Sequence, residues 1–521
     1  MASDDSAAHD RPSFTNAFGF GALSFLVSGV LALGSSILTA RIYGINVIGE
    51  FALAYAPTGA VWFLSSVREQ PALIRMLAPL APRSPRVTGL FFPVFIFSTG
   101  LTLVASCIAA GATYLLFNGP IDHPELFAPA VVSLVGYLLF TNPSWNIDGV
   151  LVAFRAGREL FWIRTHQMAA YLGLAALGSL VMPTVWGLIL ATAASWVTSL
   201  VHRMVVSPKW IRWSVPRDEI RSGFGALPEI LRFGLKMTPG SLATGVSDQV
   251  GTWILGAYGS LAAVGAWNRA WALSQRFIDL NYRLAEMVFP TLVERHEGKD
   301  RLGFDRALVD SLRYVAGAMM LPAAVGGGAA IGIMDLFGPG FSRASTALAL
   351  VLLVPAIATM STIQVDALLA VGRPVATTVL AGARLAATVP LTIVLTLTMG
   401  VTGTALGVVL GVAVQLAIQV GVLRVHLSQP MLALWPTRQL AALALAYAAG
   451  FVVAHLLDSL LPGVGGLIVS LAAGTLAYVL CLTLIGGMLP RDRARVSAAV
   501  MRIAPGSKWA TRIAPRPQPS T

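Results

Sequence analysis

Residues 262–290 read AAVGAWNRAWALSQRFIDLNYRLAEMVFP, a helix-length block that should be pure hydrocarbon yet carries five charges. Arg269, Arg276 and Arg283 recur every seven residues, and Asp279 and Glu286 interleave with them on the same period. Seven residues make nearly two helical turns, so the arginines fall on one stripe about 21 Å long. The acids lie three residues past Arg276 and Arg283, on the adjoining part of that face. A charge at mid-bilayer costs about 2.5–3.5 kcal/mol even on the lenient insertion scale. Five on one helix exclude a lipid-facing stripe. The segment must line a wet cavity or a protein-buried network, which points to transport of something polar.

The remainder of the 521 residues sets that helix in a membrane. Mean hydropathy is +0.74, with 56% hydrophobic and only 12% charged residues, which excludes a soluble protein. The hydrophobic runs predict fourteen spans, near residues 18–40, 48–67, 88–114, 126–150, 163–182, 185–202, 234–256, 262–290, 314–335, 345–370, 375–399, 402–423, 439–457 and 464–487. With the N-terminus in the cytoplasm, 30 of the 36 Lys and Arg fall in tails and cytoplasmic loops. Arg41 and Arg343 fall outside, and Arg269, Arg276, Arg283 and Arg384 lie within spans. This asymmetry is the positive-inside rule, so both termini are expected in the cytoplasm. The net charge of +12 then reflects topology and not a nucleic-acid partner, and the basic segment 491–516 reads as a membrane-surface anchor. Residues 1–16 are polar and lack the basic start of a signal peptide, so an uncleaved first helix is expected after a disordered tail. Cys107 and Cys481 form no disulfide framework. The chain holds no phosphate-binding Gly-rich loop and no His/Cys/Glu cluster at metal-ligand spacing, so no cofactor and no enzymatic activity are expected.

The most basic connection, residues 202–236, carries seven Lys and Arg and separates six spans from eight. A repeat runs across it. Tyr43-Gly44 and Gly157-Arg158 recur as Tyr258-Gly259 and Gly372-Arg373, both 215 residues later. Gly49 has a counterpart in Gly265, and Asn146-Ile147-Asp148-Gly149 resembles Gln364-Val365-Asp366-Ala367. Six spans per copy is an even number, so both copies take one orientation and pair about an axis along the membrane normal. The expected fold is an all-α polytopic membrane protein. It comprises a cytoplasmic tail (1–16), a six-helix bundle (17–202), a cytoplasmic linker (203–233), a second six-helix bundle (234–425), helices thirteen and fourteen (438–487), and a basic cytoplasmic tail (488–521).

Each polar residue in a span has two readings. Arg276, Asp279, Arg283 and Glu286 stand at i,i+3 and i,i+4 spacing and are able to satisfy one another as a structural network. Alternatively the stripe binds an anion, because guanidinium stays charged in a low-dielectric cavity and grips phosphate in a bidentate fork. Arg269 has no acid three or four residues away and is the most available to a ligand, and Arg384 in span eleven is a second candidate. Asp148 and Asp366 occupy matching places near the ends of spans four and ten. They read either as helix-end partners of Arg155, Arg158 or Arg373, or as gating and ion-coupling groups. Glu50, Asp248 and Asp279 join them as candidate proton or sodium ligands.

The stretches Ala40-Arg41-Ile42-Tyr43-Gly44, Gly49-Glu50-Phe51-Ala52-Leu53-Ala54, Met287-Val288-Phe289-Pro290 and Leu369-Ala370-Val371-Gly372-Arg373-Pro374 occur in this order. They resemble the polysaccharide flippases of the multidrug/oligosaccharidyl-lipid/polysaccharide (MOP) exporter superfamily, over roughly residues 17–487. The resemblance implies a flippase of the bacterial inner membrane. It would move undecaprenyl-diphosphate-linked oligosaccharide to the periplasmic leaflet by alternating access, for exopolysaccharide, capsule or O-antigen synthesis. It also implies drive either by an ion gradient, with H+ or Na+ as candidate coupling ion, or by downstream consumption, and a polysaccharide polymerase and glycosyltransferases as candidate partners. Two other readings stand beside it: a multidrug or small-cation antiporter of the same superfamily, and a flippase for the peptidoglycan precursor. The second span carries no arginine stripe beyond Arg68, so a cationic lumen on both walls is not implied.

Overall fold

A computed structural model describes residues 14–64, 69–214, 217–235, 238–425, 427–428, 435 and 437–485. Among these residues the chain is helical throughout, and nine helices are long and apolar enough to cross a membrane. Two of the nine hold two spans each. Helix α1 (Phe14–Leu64) breaks at Gly44, and the long helix Pro374–Arg424 breaks at Gly400. Both glycines have positive φ, 78° and 58°, a conformation that costs an L side chain energy and a glycine almost nothing. At the second break the chain reverses, since Gly403, Gly407 and Gly411 pack in turn against Leu395, Thr392 and Thr388. Three further helices are too polar to register as apolar spans but are long enough to cross: α6 (Gly157–Val181), α9 (Thr238–Tyr258) and α10 (Leu261–Glu297). Fourteen crossings follow.

The first bundle comprises α1, α3 (Pro85–Phe117), α4 (Phe127–Gly136) continued by α5 (Asn142–Ala153), α6, and α7 (Val185–Val206), with the short α2 (Glu69–Leu77) beside α5. A π-helical turn at Tyr137–Thr141 joins α4 to α5 immediately ahead of Pro143, whose missing N–H displaces the regular ladder. The second bundle comprises α9, α10, α11 (Arg301–Gly328), α12 (Ala330–Asp335), α13 (Ser345–Val351) continued by α14 (Leu353–Ala370), and α15 (Pro374–Arg424). The two are pseudo-symmetric. Helix α6 packs on α1 as α15 packs on α9, and the turns after α5 and α14 share one hydrogen-bond pattern. In the first, Arg155 and Ala156 donate N–H to Val152 and Leu151. In the second, Gly372 and Arg373 donate to Leu369 and Leu368.

The expected connection 203–233 is largely a helix, α8 (Arg217–Leu235), laid across α3 with Gly223 against the backbone of Gly89. Its polar and apolar residues segregate to opposite faces, as a helix at a bilayer surface requires. Helices α16 (Thr437–Leu460) and α17 (Val464–Leu484) form a hairpin on α11. Asp458 fastens it by accepting the Gly332 N–H at 2.9 Å, and Tyr478 by donating to the Gly317 carbonyl at 2.8 Å. Between α10 and α11, Asp300 accepts the Gly303 N–H, which holds its carboxyl below the usual range.

Candidate functional site

The two bundles meet where α1 crosses α9 and α10. Ser260 caps α10 by accepting the Ala263 N–H at 3.2 Å, which fixes the helix start and therefore the depth of everything after it. Two turns in, Arg269 is only 7% exposed. Its Nη1 donates to Ser36 Oγ at 2.9 Å and its Nη2 to Thr39 Oγ1 at 3.4 Å, both on α1 before the Gly44 break. Thr39 spends its own proton on the Ser35 carbonyl at 2.7 Å, so its lone pairs face the guanidinium. Tyr171 of α6 stands within electrostatic range, and Trp267 and Trp271 stack at 5.5 Å on the same helix. Arg269 Nε is buried with no hydrogen-bond partner. Among the described residues no carboxylate lies within ion-pair distance of it.

The other candidates are distributed differently from the sequence reading. Arg384 is already ion-paired, though its Nε is buried without a partner. Its Nη2 donates to Asp248 Oδ1 at 2.6 Å, so two residues read as separate substrate and coupling sites neutralise each other across α15 and α9. Asp148 does not pair with Arg155, Arg158 or Arg373. Arg203 of α7 grips it bidentately, Nε to Oδ1 and Nη2 to Oδ2, both at 2.8 Å, and also reaches Ser199. Glu50 is half-buried on α1, with the His123–Glu125 pair its nearest charged neighbours. Arg276 is exposed two turns beyond Arg269, so the stripe is not uniform. The side chains of Asp279, Arg283 and Glu286 lie outside the described residues.

Comparing the bundles isolates Asp366. Gln419 faces α14 as Arg203, 216 residues earlier, faces α5, but its Oε1 accepts from Ser361 Oγ at 2.7 Å and its Nε2 donates to the Ser361 carbonyl. The second bundle thus replaces an arginine–aspartate pair with a glutamine–serine pair. Asp366 Oδ2 is left buried with no partner. Arg203, Ser36, Thr39 and Tyr171 were not singled out in the sequence. The Ser36/Thr39 spacing of three residues inside an apolar span was the available signal, since it places two hydroxyls on one face.

The Arg203–Asp148 pair carries a measurable consequence. Its side chains are 6% and 11% exposed. Removing one partner from such a pair strands the other charge and costs about 3–5 kcal/mol, whereas removing both often costs little. Arg203→Leu is expected to lower detergent-solubilised stability by that amount, with Asp148→Leu/Arg203→Leu recovering most of it. Equal loss in the single and double variants would mean that packing, not charge, accounts for the effect.

The family model described as polysaccharide biosynthesis protein matches residues 93–330. No curated protein sequence matches the chain. Among solved structures, the lipid II flippase MurJ in its inward closed conformation is similar with a TM-score of 0.63 at 13% identity, covering 89% of this chain and 98% of that one. An inward-facing multidrug resistance MATE family transporter of the MOP superfamily gives 0.58 at 16% identity, covering 79% and 94%. The eukaryotic MATE transporter AtDTX14 gives 0.51 at 14% identity, covering 81% and 97%. The chain has the fold of these membrane transporters and flippases. Together with the sequence match, that supports the flippase resemblance carried by residues 40–54, 287–290 and 369–374.

Proposed function

We propose that the protein flips a polyprenyl-diphosphate-linked oligosaccharide across the bacterial inner membrane by alternating access of its two bundles, for surface polysaccharide synthesis. One observation carries this reading: a guanidinium buried between the bundles with hydroxyls as its protein acceptors and, among the described residues, no carboxylate beside it. A buried ion is costly unless something of opposite charge completes it, and a guanidinium carries five N–H donors in a fork that matches phosphate. Ser36 and Thr39 hold that fork between the bundles without neutralising it. A small-cation antiporter has no use for such a group, whereas a diphosphate head does. The peptidoglycan precursor would satisfy the same chemistry, so the cargo test includes it.

The test uses proteoliposomes holding one of three lipids: an oligosaccharide on polyprenyl diphosphate, the peptidoglycan precursor, or an uncharged lipid glycan. Transport of the two diphosphate lipids and none of the third is the expected result, and the ratio of the first two identifies the cargo. Equal transport of charged and uncharged lipids would leave only a generic amphiphile exporter.

Asp366 is the proposed coupling group, because the repeat has removed the cation that neutralises its counterpart. Asp366→Asn is expected to leave slow transport down a lipid gradient intact while abolishing acceleration by an imposed H+ or Na+ gradient. Acceleration that survives the substitution would remove Asp366 from the coupling role.

A further inference from the structure

The two halves of α15 form a wedge. At the Gly400 end the ridge Gly403/Gly407/Gly411 brings them into backbone contact, so close that an added Cβ at Gly407 would sit 2.5 Å from Thr392 Cα. Beyond Gly411 the ridge stops. Ile418 and Val422 face Val375, Ala376, Val379 and Leu380, and between them lies an elongated cavity of about 430 Å3. The cavity falls within the roughly 300–1,000 Å3 range of small-molecule sites. Its wall from Gly372 to Leu380 is about 12 Å deep at the helical rise.

Its lining is hydrocarbon except at the mouth, where Arg373 stands. Gly372, at φ 74°, ends the α14 turn, and Pro374 opens α15, so Arg373 is held at the lip of the wedge. The residue is exposed, and no ion pair is formed by it among the described residues. Arg424, also exposed, ends the same helical hairpin on the same side of the membrane. Val375, Val379, Val394 and Leu397 are all more than half exposed on the first half of α15, which identifies this surface as a lipid-facing one remote from Arg269. A hydrocarbon slot that narrows toward the glycine ridge, with an arginine at its lip that forms no ion pair among the described residues, is complementary to one class of molecule.

We propose that the α15 wedge is a binding site for an anionic phospholipid, with one acyl chain inserted between Val379 and Ile418 and the phosphate on Arg373. Arg373 supplies a charge-assisted contact to the phosphate, and its charge at the mouth favours a headgroup with net negative charge over a zwitterionic one. The site lies apart from Arg269, so its test does not depend on what the bundles carry.

Native mass spectrometry of the full chain, with phosphatidylglycerol or phosphatidylethanolamine of identical chains, tests this. Wild type should retain phosphatidylglycerol about fivefold better, the equivalent of about 1 kcal/mol per basic residue at a membrane surface. Arg373→Gln should remove the headgroup preference and keep binding. Val379→Trp, filling the slot from a position 63% exposed, should reduce binding of both lipids, and Ile418→Trp should do the same from the facing wall. Arg269→Leu should change neither. A preference that survives Arg373→Gln overturns the proposal, as does undiminished binding in both tryptophan variants. Undecaprenyl phosphate displacing phosphatidylglycerol from wild type, but failing to bind Val379→Trp, would reassign the slot to the transported lipid and equally overturn it.

Discussion

Arg269→Leu is expected to slow transport of a diphosphate lipid at least tenfold while leaving the melting temperature unchanged or raising it. These two effects separate a ligand-binding role from a structural one. A guanidinium that merely held α10 to α1 would be missed by the fold, and its loss would lower stability. Here the group is 7% exposed, its Nε has no partner, and its bonds go to two neutral hydroxyls, one of them long at 3.4 Å. The desolvation of a buried ion is of the order of several kcal/mol, more than two such bonds return. Exchange for leucine therefore removes a cost, as buried ions replaced by packed hydrocarbon often do. Transport loses a charge-assisted contact of about 1.5–3 kcal/mol, at least tenfold in rate if it is made in the rate-limiting state. Arg269→Lys should fall between, since the ammonium keeps the charge and loses the fork. Thermal unfolding in detergent and vesicle transport are read on the same preparations. A destabilised variant with normal residual transport per folded molecule would sink the anion-site reading.

Much of the architecture was legible because the bilayer makes hydrocarbon length an absolute signal. Fourteen spans could be marked along the chain, and even the polar eighth span came through, since its charges were spaced at seven residues on a helix that had nowhere else to bury them. The repeat was legible in Tyr43-Gly44 and Tyr258-Gly259 because glycines at a tight turn have no substitute. Pairing was not legible. The partners of Asp148 and Arg384 lie 55 and 136 residues away along the chain, and helix periodicity says which residues share a face, never which face meets which. Proximity along the chain points to Arg155 and Arg158, whereas the partner in space is Arg203. Ser36 and Thr39 were passed over for another reason. In apolar helices hydroxyls usually satisfy their own backbone carbonyls, as Thr39 does, and its second role as an acceptor needs the facing helix to be visible. The amphipathic α8 hid within a stretch judged by its charge alone.

The glycines of the repeat make the second large prediction: Gly49→Val or Gly265→Val should prevent this face of the protein from closing and so stop the proposed cycle. An added Cβ at Gly49 would meet the carbonyl oxygen of Leu261 and the Gly265 N at 3.2 Å. One at Gly265 would meet the carbonyl oxygen of Ile45 and the Gly49 N at 3.1 Å. Each glycine thus packs on the carbonyl four residues before the other, a reciprocal contact expected where a pseudo-twofold axis passes between two equivalent helices. Backbone meets backbone there, so nothing flexible can yield. Small-residue crossings of this kind let helices approach closely in lipid, where no hydrophobic effect drives them together. Nearby, Arg41 adds a second tie from the first bundle to the second by donating Nε to the Leu336 carbonyl at 2.7 Å. Overpacking costs about 1–3 kcal/mol, and 1.4 kcal/mol shifts a two-state equilibrium tenfold, so even Gly49→Ala should visibly depopulate the closed form. The second alanine should add less than the first, because the helices have already parted. With Cys107 and Cys481 replaced, spin labels at Asn118 and Tyr258 would report the separation across this face. Valine variants should show the long distance alone and no transport. A wild-type distance distribution with transport retained in Gly265→Val would mean that the bundles do not alternate about this crossing.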